Sequence, residues 1–151
     1  MGLDMYLKKS TYVENWPHTP LEEKFNITIM RGGFPYEKID PEKISYITEQ
    51  VAYWRKFNAL HKWFVDNVQE GEDDCKEYHV SNEDLQNLLK TLEQIAENPE
   101  KASELLPTQG GFFFGGLEYD EDYMDNVRYT IDVIKKLLEE KSGNIYYTSS
   151  W

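Results

Sequence analysis

The stretch "DPEKISYITEQVAYWRKFNALHKWFVDN", residues 40–67, carries the longest single pattern in the chain. Asp40 followed by Pro41 is typical of a helix start, with a capping side chain and a proline in the first turn. Residues at alternating intervals of three and four would share one helical face: Ile44, Ile47, Val51, Trp54, Asn58, His61 and Val65. This spacing predicts one long amphipathic helix that ends near Asn67.

On the N-terminal side of this segment, apolar and polar residues alternate twice. Residues 3–7 alternate almost from the first position, and residues 25–29 alternate within "FNITIMRGG". A period of two indicates a half-buried strand in each case. Gly32 and Gly33 then predict a tight turn at the end of the second strand.

On the C-terminal side, strands and helices follow one another irregularly. "CKEYHV", residues 75–80, predicts a short strand, and Ser81 with Asp84 predicts a capping box that begins a helix. A short helical piece is expected up to Leu106. Asp120 is placed to cap a last helix, and "IYYTS", residues 145–149, predicts the final strand.

These elements predict an α+β fold in a single domain, residues 1–151. The chain is near the commonest size for one hydrophobic core, and 40% of its residues are apolar. Helices and strands do not alternate regularly, which disfavours a doubly wound parallel sheet. We therefore expect a short mixed or antiparallel sheet packed by about three helices.

The net charge restricts the partners that the chain could bind. Sixteen basic residues against 28 acidic ones give a formal charge of -12, which repels phosphate backbones and disfavours direct nucleic-acid binding. The acids concentrate in residues 69–84. This run is typical of a solvated rim, and it could also cover a basic protein through Glu70, Glu72, Asp73 and Asp74.

Other features of the sequence predict a cytosolic protein without a cofactor. Cys75 is the only cysteine, which excludes an intrachain disulfide and fits a reducing compartment. No segment approaches the roughly 20 apolar residues that a membrane span needs, so we expect no membrane partner. The three histidines, His18, His61 and His79, lack paired ligand spacing, which disfavours a metal site.

Two polar residues interrupt the apolar face of the helix predicted over residues 40–67. Asn58 and His61 lie one turn apart, with Trp54 a turn earlier and Arg55 beside it. A buried polar side chain needs a hydrogen-bond partner, so one interpretation is that both are structural. The other is that they line a pocket, with His61 able to titrate near neutral pH and Arg55 facing an anionic group.

The segment "LLPTQGGFFFGGLEYDEDYMDNV", residues 105–127, combines four glycines with three consecutive phenylalanines. One interpretation is a short core strand between two turns. The other is a ligand-binding loop, because glycines let the backbone approach a ligand and aromatic faces stack on planar groups. It lacks a Walker lysine and a Gly-x-Gly-x-x-Gly pattern. The loop residues assigned to the pocket are Gly110, Gly111, Phe113, Gly115, Gly116 and Tyr119.

Several blocks of the sequence resemble one group of proteins: "MGLDMYL", "ISYITEQVAYWRKFNALHKWFVDNVQ", "LLPTQGGFFFG" with "EYDEDY", and "YYTSSW". Together they resemble small proteins carried by phages, prophages and their bacterial hosts. The resemblance spans nearly the whole chain. It implies a mobile-element setting and a cytosolic accessory role, such as evasion of host defence, and it supplies no catalytic residue.

Three functions remain open at this point. The first is a non-catalytic binder of a small, nucleotide-like ligand, in a pocket formed by Trp54, Arg55, Asn58 and His61 with the glycine-rich loop. The second is an acidic inhibitor or DNA mimic that covers a basic host protein. The third is a small hydrolase that uses His61 as a general base. Self-association through the aromatic C-terminal residues is also compatible with the sequence.

Overall fold

A computed structural model describes residues 2–111 and 114–151. In this structure the main sheet has four antiparallel strands in the order β4-β1-β6-β5. They are β1 (Asp4–Tyr12), β4 (Tyr46–Arg55), β5 (Tyr78–Val80) and β6 (Asn144–Ser150). A separate hairpin pairs β2 (Met30–Arg31) with β3 (Phe34–Pro35). The α+β class is therefore confirmed, and its main sheet is antiparallel.

The helices are α1 (Asn58–Asn67), α2 (Asn82–Glu97), α3 (Ala102–Leu105) and α4 (Glu121–Glu140). Two of them, α2 and α4, begin where local sequence signals place them. Ser81 and Asp84 form the expected capping box of α2, and Asp120 accepts a hydrogen bond from the Tyr123 backbone as the cap of α4. No helix among the described residues is long and apolar enough to cross a membrane.

The long helix predicted over residues 40–67 is wrong. Asp40 does act as a cap, but it begins only a single 3₁₀ turn, Pro41–Lys43. The chain then extends as β4, which pairs with β1 along its whole length, with a register shift between Leu7 and Lys8. Only the last third of the segment, α1, is helical. The hydrogen bonds of β4 come from β1, which is distant in the sequence. The local spacing of three and four residues does not reveal this pairing.

The second predicted strand is also wrong in its position. Residues 25–29 form no strand, and the hairpin strands that follow are two residues each and exposed. Gly32 and Gly33 do form the turn between them, with φ angles of 59° and 84°. The brief strand predicted for the three phenylalanines falls partly on residues 112–113, outside the described residues, while Phe114 lies in a bend.

One face of the main sheet forms the core. Met5 of β1, Trp54 of β4 and Tyr147 of β6 all lie on this face and are at most 2% exposed. Helices α2 and α4 pack against each other, and their apolar stripes join the same buried cluster. The side chains that contact one another across this layer therefore come from strands at both ends of the chain.

Candidate functional site

The junction between β4 and α1 has a strained backbone. Arg55 ends the strand, Lys56 adopts a left-handed φ of 59°, and α1 begins at Asn58. The Lys56 backbone N–H donates to the Leu3 carbonyl at 2.7 Å. A residue other than glycine at positive φ costs on the order of 1 kcal/mol or more, so the surrounding contacts hold Lys56 in this conformation.

Asn58 fastens the glycine-rich loop to the start of α1. Its Nδ2 donates to the backbone carbonyls of Phe114 at 3.1 Å and Gly116 at 2.8 Å, and its Oδ1 accepts from the Gln109 backbone at 2.8 Å. The side chain is only 3% exposed, and these bonds use both of its amide hydrogens and its oxygen. These contacts fit the structural interpretation of Asn58, and the group it binds is the loop itself.

Gly115 explains part of the glycine content of this loop. Its φ is +92°, and a Cβ built on it would lie 2.9 Å from the Lys56 Cβ and 3.2 Å from the Lys56 carbonyl oxygen. Any side chain at this position would push the loop away from the junction. By contrast, a Cβ on Gly110 would meet only the side chain of Leu117, at 4.0 Å. Gly111 and Gly116 are also tight, but the added Cβ would meet only side chains, Phe114 at 2.8 Å and Glu118 at 2.5 Å, whereas at Gly115 it would meet the backbone of Lys56 as well.

The loop and the junction enclose a polar cleft of about 210 Å³, which we call the junction cleft. It has two basic and three acidic side chains on its walls. Its volume is below the roughly 300 Å³ at which pockets for drug-sized ligands begin. The residues that line it are Arg55, Lys56, Phe57, Asn58, Thr108, Gly115, Gly116, Glu118, Asp120, Asp122, Tyr123 and Asn126.

The polar groups that line the junction cleft differ in how firmly neighbouring residues hold them. Asp120 caps α4, and the Tyr123 hydroxyl donates to the Leu106 carbonyl at 2.7 Å. Burial raises the pKa of Tyr123, with a smaller contribution from a neighbouring tyrosine. The Arg55 guanidinium lies 3.4 Å from Asp4, and its side chain remains 53% exposed. An exposed pair at this distance holds its partners weakly, so Arg55 can turn toward a ligand.

The junction cleft brings together four of the ten residues assigned to a pocket from the sequence, namely Arg55, Asn58, Gly115 and Gly116. Gly110, Gly111 and Tyr119 belong to the same loop but do not line the cleft; the Tyr119 hydroxyl accepts from the Thr108 backbone at 3.0 Å. Phe113 lies outside the described residues.

Trp54 does not line a pocket, contrary to the expectation from the sequence. It lies on β4 rather than on a helix and is 2% exposed, so it belongs to the core. Its Nε1 donates to the Thr130 hydroxyl of α4 at 2.9 Å, and its ring meets Tyr129 edge-on. Trp54 is separated from Asn58 by the turn at Lys56, which breaks the single helical face predicted for both residues.

His61 is also placed away from the junction cleft, in a buried hydrogen-bonded chain. Its Nδ1 lies 2.7 Å from the Tyr147 hydroxyl, and its Nε2 lies 3.0 Å from Asp73 Oδ1, which also accepts from Trp151 Nε1 at 3.0 Å. A carboxylate only accepts, so this network assigns the ring proton to Nε2 and makes Tyr147 the donor to Nδ1. His61 is 1% exposed, and both ring nitrogens are occupied by protein groups.

The Tyr147 hydroxyl has the position that a nucleophile would need beside His61, but it is completely buried. Burial raises its pKa well above the ordinary value, and the nearby charges of Asp73 and Cys75 raise it further. This arrangement offers His61 no open ring nitrogen for a substrate. The geometry therefore gives no support to the hydrolase hypothesis, which stays an untested prediction.

The acidic run is partly turned inward. Asp73 binds His61 and Trp151, and Asp74 accepts from the Tyr78 hydroxyl at 2.8 Å. The Tyr78 hydrogen bond lowers the pKa of Asp74, and the same bond raises the pKa of Tyr78 to about 12. Of the four acids predicted to face a basic partner, only Glu70 and Glu72 are exposed.

Sequence reasoning missed several cleft residues. Lys56 was missed because nothing in the sequence marks a positive φ at a lysine. The sequence predicted Asp120 only as the cap of α4, and an acid in the first turn of a helix, such as Asp122, is expected from the helix dipole alone. A usable signal was present: Asp122 and Asn126 lie one helical turn apart, so they share a face at the start of α4. Glu118 also lines the cleft, and the sequence did not single it out.

No protein-family model, curated protein or solved structure matches the chain. Within the described residues, no three histidine, cysteine, aspartate or glutamate side chains converge as a metal ion would require. The function must therefore be inferred from the contacts, charges and burial of the junction cleft and of the surfaces around it.

Proposed function

We propose that the protein binds a small polar molecule in the junction cleft and does not transform it chemically. The observation that carries this proposal is a cleft of about 210 Å³ whose two walls are fixed to each other by Asn58 and by the close contact of Gly115 with Lys56. A site formed in advance of binding loses less entropy when the ligand enters.

The backbone of Lys56 supports a functional role for this cleft. Residues that are held at unfavourable φ angles cluster at ligand sites, where the strain fixes a side chain in place. Lys56 could be replaced by glycine at lower conformational cost, since glycine adopts positive φ freely. Its ammonium group and the Arg55 guanidinium instead give the cleft two positive charges on one wall.

The chemistry of the two walls defines the ligand class. Arg55 and Lys56 favour an anionic group such as a phosphate or a carboxylate. The carboxylates of Glu118 and Asp122 accept from hydroxyl or amino groups on the opposite side. The ligand is therefore an anion that also carries hydrogen-bond donors. A phosphorylated sugar has this pattern and suits the cleft volume, a mononucleotide would have only its phosphate and ribose inside, and a dinucleotide is too large.

Binding without catalysis fits the residues that line the cleft. They include no serine, cysteine or histidine. Burial raises the pKa of Tyr123, and its hydroxyl is already bound to Leu106. An accessory role in a mobile-element setting belongs to the same proposal, and so does the cytosol, because the single cysteine, Cys75, is an exposed free thiol.

Native mass spectrometry of the protein purified from its host cell tests this proposal. The expected result is one released anion per chain after denaturation. The same anion should bind the refolded protein in calorimetry. Arg55→Ala and Lys56→Gly should each weaken binding about tenfold or more, while Lys135→Ala, an exposed change nine residues beyond Asn126 on α4, should not.

Two results would overturn the proposal. Binding that is unchanged in both cleft variants would place the ligand elsewhere on the molecule. A purified protein that carries no small molecule but retains a basic protein partner would favour the acidic inhibitor instead. In that case, neutralising the exposed Glu70 and Glu72 should release the partner, and added salt should weaken the complex.

A further inference from the structure

The segment between β1 and β4, residues 14–45, which we call the arm, adds no residue to the buried core cluster. Its base is closed by the Val13 backbone N–H, which donates to the Ser45 carbonyl at 2.8 Å. Beyond that point its large apolar side chains face solvent. Their exposed fractions are Trp16 48%, Leu21 83%, Phe25 45%, Met30 54%, Phe34 75% and Ile39 46%.

The arm nevertheless has a defined shape. Asn15 binds Phe25 through both its amide nitrogen and its oxygen, at 2.7 and 2.9 Å. The Tyr36 backbone N–H donates to the Ile29 carbonyl at 3.0 Å, at the end of the β2–β3 hairpin. Ordering a residue costs roughly 1–2 kcal/mol of backbone entropy, and the arm offsets little of this by burial. A surface that covers these apolar side chains would supply the missing stabilisation.

The exposed area of the chain indicates how large that surface is. The accessible surface is 9833 Å². A compact monomer of 17.9 kDa exposes about 8,000 Å², so the excess is about 1,800 Å². Stable protein interfaces bury about 800 Å² per partner, and obligate homodimers bury more. The excess is therefore of the size that each subunit of a homodimer loses to its partner.

The tip and the base of the arm have complementary shapes. The turn at Gly32 and Gly33 lies in open space, since a Cβ on either residue would meet no atom within 4 Å, and Phe34 beside it is 75% exposed. At the base is a cleft of about 750 Å³, whose walls include Trp16 and Phe25. A projecting aromatic residue and an open cleft with aromatic side chains among polar ones, both on the same segment, are what a reciprocal, two-fold contact requires.

The outer edge of β4 continues this surface. β4 pairs with β1 on one side only, and its first residues, 46–50, are all exposed. Farther along, the Tyr53 backbone N–H donates to the Tyr129 hydroxyl at 3.3 Å, so α4 covers that end of the strand. An uncovered edge next to exposed apolar side chains is a template for pairing with another strand.

Charge also favours the arm as the contact between copies. The arm has six acidic and four basic residues, a net charge of -2, so the remaining residues carry -10 of the total of -12. Two copies repel each other over most of their surface. The arm and the β4 segment that follows it nearly balance acids and bases, because the surplus of acids lies in residues 69–151. The basic residues of the arm, such as Arg31 beside the tip, can face acids of a second copy.

We propose that two copies of this chain associate about a two-fold axis through their arms. Phe34 of each copy enters the base cleft of the other, between Trp16 and Phe25, and the free edges of β4 meet along residues 46–50. This inference is independent of the ligand proposed for the junction cleft, because none of the residues that line that cleft belongs to the arm.

Sedimentation of the full chain tests this proposal. The expected species has twice the mass of the 17.9 kDa chain at micromolar concentration. Phe34→Asp should weaken the dimer about 30-fold or more, because it removes a central apolar anchor and places a negative charge in a cleft whose walls already include Asp40 and Glu42. Leu117→Asp, which introduces the same charge at a 51% exposed apolar residue outside the arm, should leave the dimer unchanged.

Hydrogen exchange provides a second readout on the same samples. The backbone amides of residues 46–50 should exchange more slowly as the protein concentration rises, and Phe34→Asp should remove that dependence. A wild-type chain that sediments as a monomer at about 100 µM overturns the proposal. So does a dimer that Phe34→Asp leaves intact, or a monomeric chain whose arm is covered by a different protein.

Discussion

The Nδ2 atom of Asn58, in the first turn of α1, donates a hydrogen bond to the backbone carbonyl of Gly116 at 2.8 Å. This contact joins two segments that are far apart in sequence and sets the width of the junction cleft between them. It also shows why the glycine-rich segment has little regular secondary structure. A side-chain amide, rather than a neighbouring strand, satisfies its backbone groups.

Replacing Asn58 by alanine should detach this loop. The variant loses three hydrogen bonds, and we expect the free energy of unfolding to fall by about 1–3 kcal/mol, because backbone groups of the loop are left unpaired or must return to water. Urea unfolding measures the loss. Asn67→Ala serves as the control, since Asn67 makes one exposed bond to Trp63 and should cost under about 0.5 kcal/mol.

The contact between Gly115 and Lys56 can be tested with a series of alanine substitutions. Gly115→Ala combines a positive φ with a Cβ clash and should destabilise most. Gly33→Ala has positive φ but open space, and should cost about 1 kcal/mol. Gly110→Ala has neither restriction and should be nearly neutral. Equal effects at Gly115 and Gly33 would show that the loop moves away from Lys56 easily.

Replacing Tyr147 by phenylalanine tests the buried chain around His61. The ring should still stack on Phe64, 3.9 Å away, but the Nδ1 atom of His61 loses its donor. A loss of about 1–3 kcal/mol is expected for a buried acceptor left unpaired. Tyr146→Phe, on the opposite face of β6, should change stability by less than about 0.5 kcal/mol. Similar losses in both variants would contradict the role of the hydrogen bond.

Alkaline pH should unfold the protein through its buried tyrosines. Burial raises the pKa of Tyr147 and of Tyr123 above the value near 10 of the unfolded chain. Above pH 10 the unfolded state binds fewer protons than the folded state, so this stability is complete below pH 10 and falls as pH rises. The slope is at most about 1.4 kcal/mol per pH unit for each tyrosine.

Urea unfolding at pH 8, 10 and 11 measures this slope. Tyr147→Phe should flatten it, because one of the two buried hydroxyl groups is gone, whereas Tyr146→Phe should not. If the wild type is equally stable at pH 8 and pH 11, the hydroxyl groups are reached by solvent in the folded protein, contrary to the burial of Tyr147.

The sequence predicted most elements whose signals are local. Caps such as Asp120 and the box at Ser81 depend on hydrogen bonds within one turn, and a short strand such as β6 shows its period of two directly. The helix over residues 40–67 failed because its first half depends on pairing with β1. Tyr46, Thr48 and Val51 are residues that favour strands, and this signal was outweighed by a chance spacing.

The candidate site also combines features with local sequence signals and features that depend on distant parts of the chain. Asn58 was recognised because a polar residue among apolar ones needs a partner, and the structure supplies that partner. The identity of the partner, the distant glycine-rich loop, follows only from the packing of the chain in three dimensions. The same holds for His61, whose partners Tyr147 and Asp73 lie on separate elements. Local sequence identifies which side chains need partners, and the fold determines which ones they find.

The pairing of β1 with β6 has a consequence for how this protein is made. The first strand lies in the middle of the sheet, and one of its two neighbours is the last strand, with Asp4 opposite Ser150. On the ribosome, β1 can meet β4 early, but its other edge must wait until β6 has been made. Contacts so distant in sequence also slow folding in general. The nascent chain therefore carries an open strand edge until β6 emerges, and a chaperone that binds extended segments has its best opportunity there.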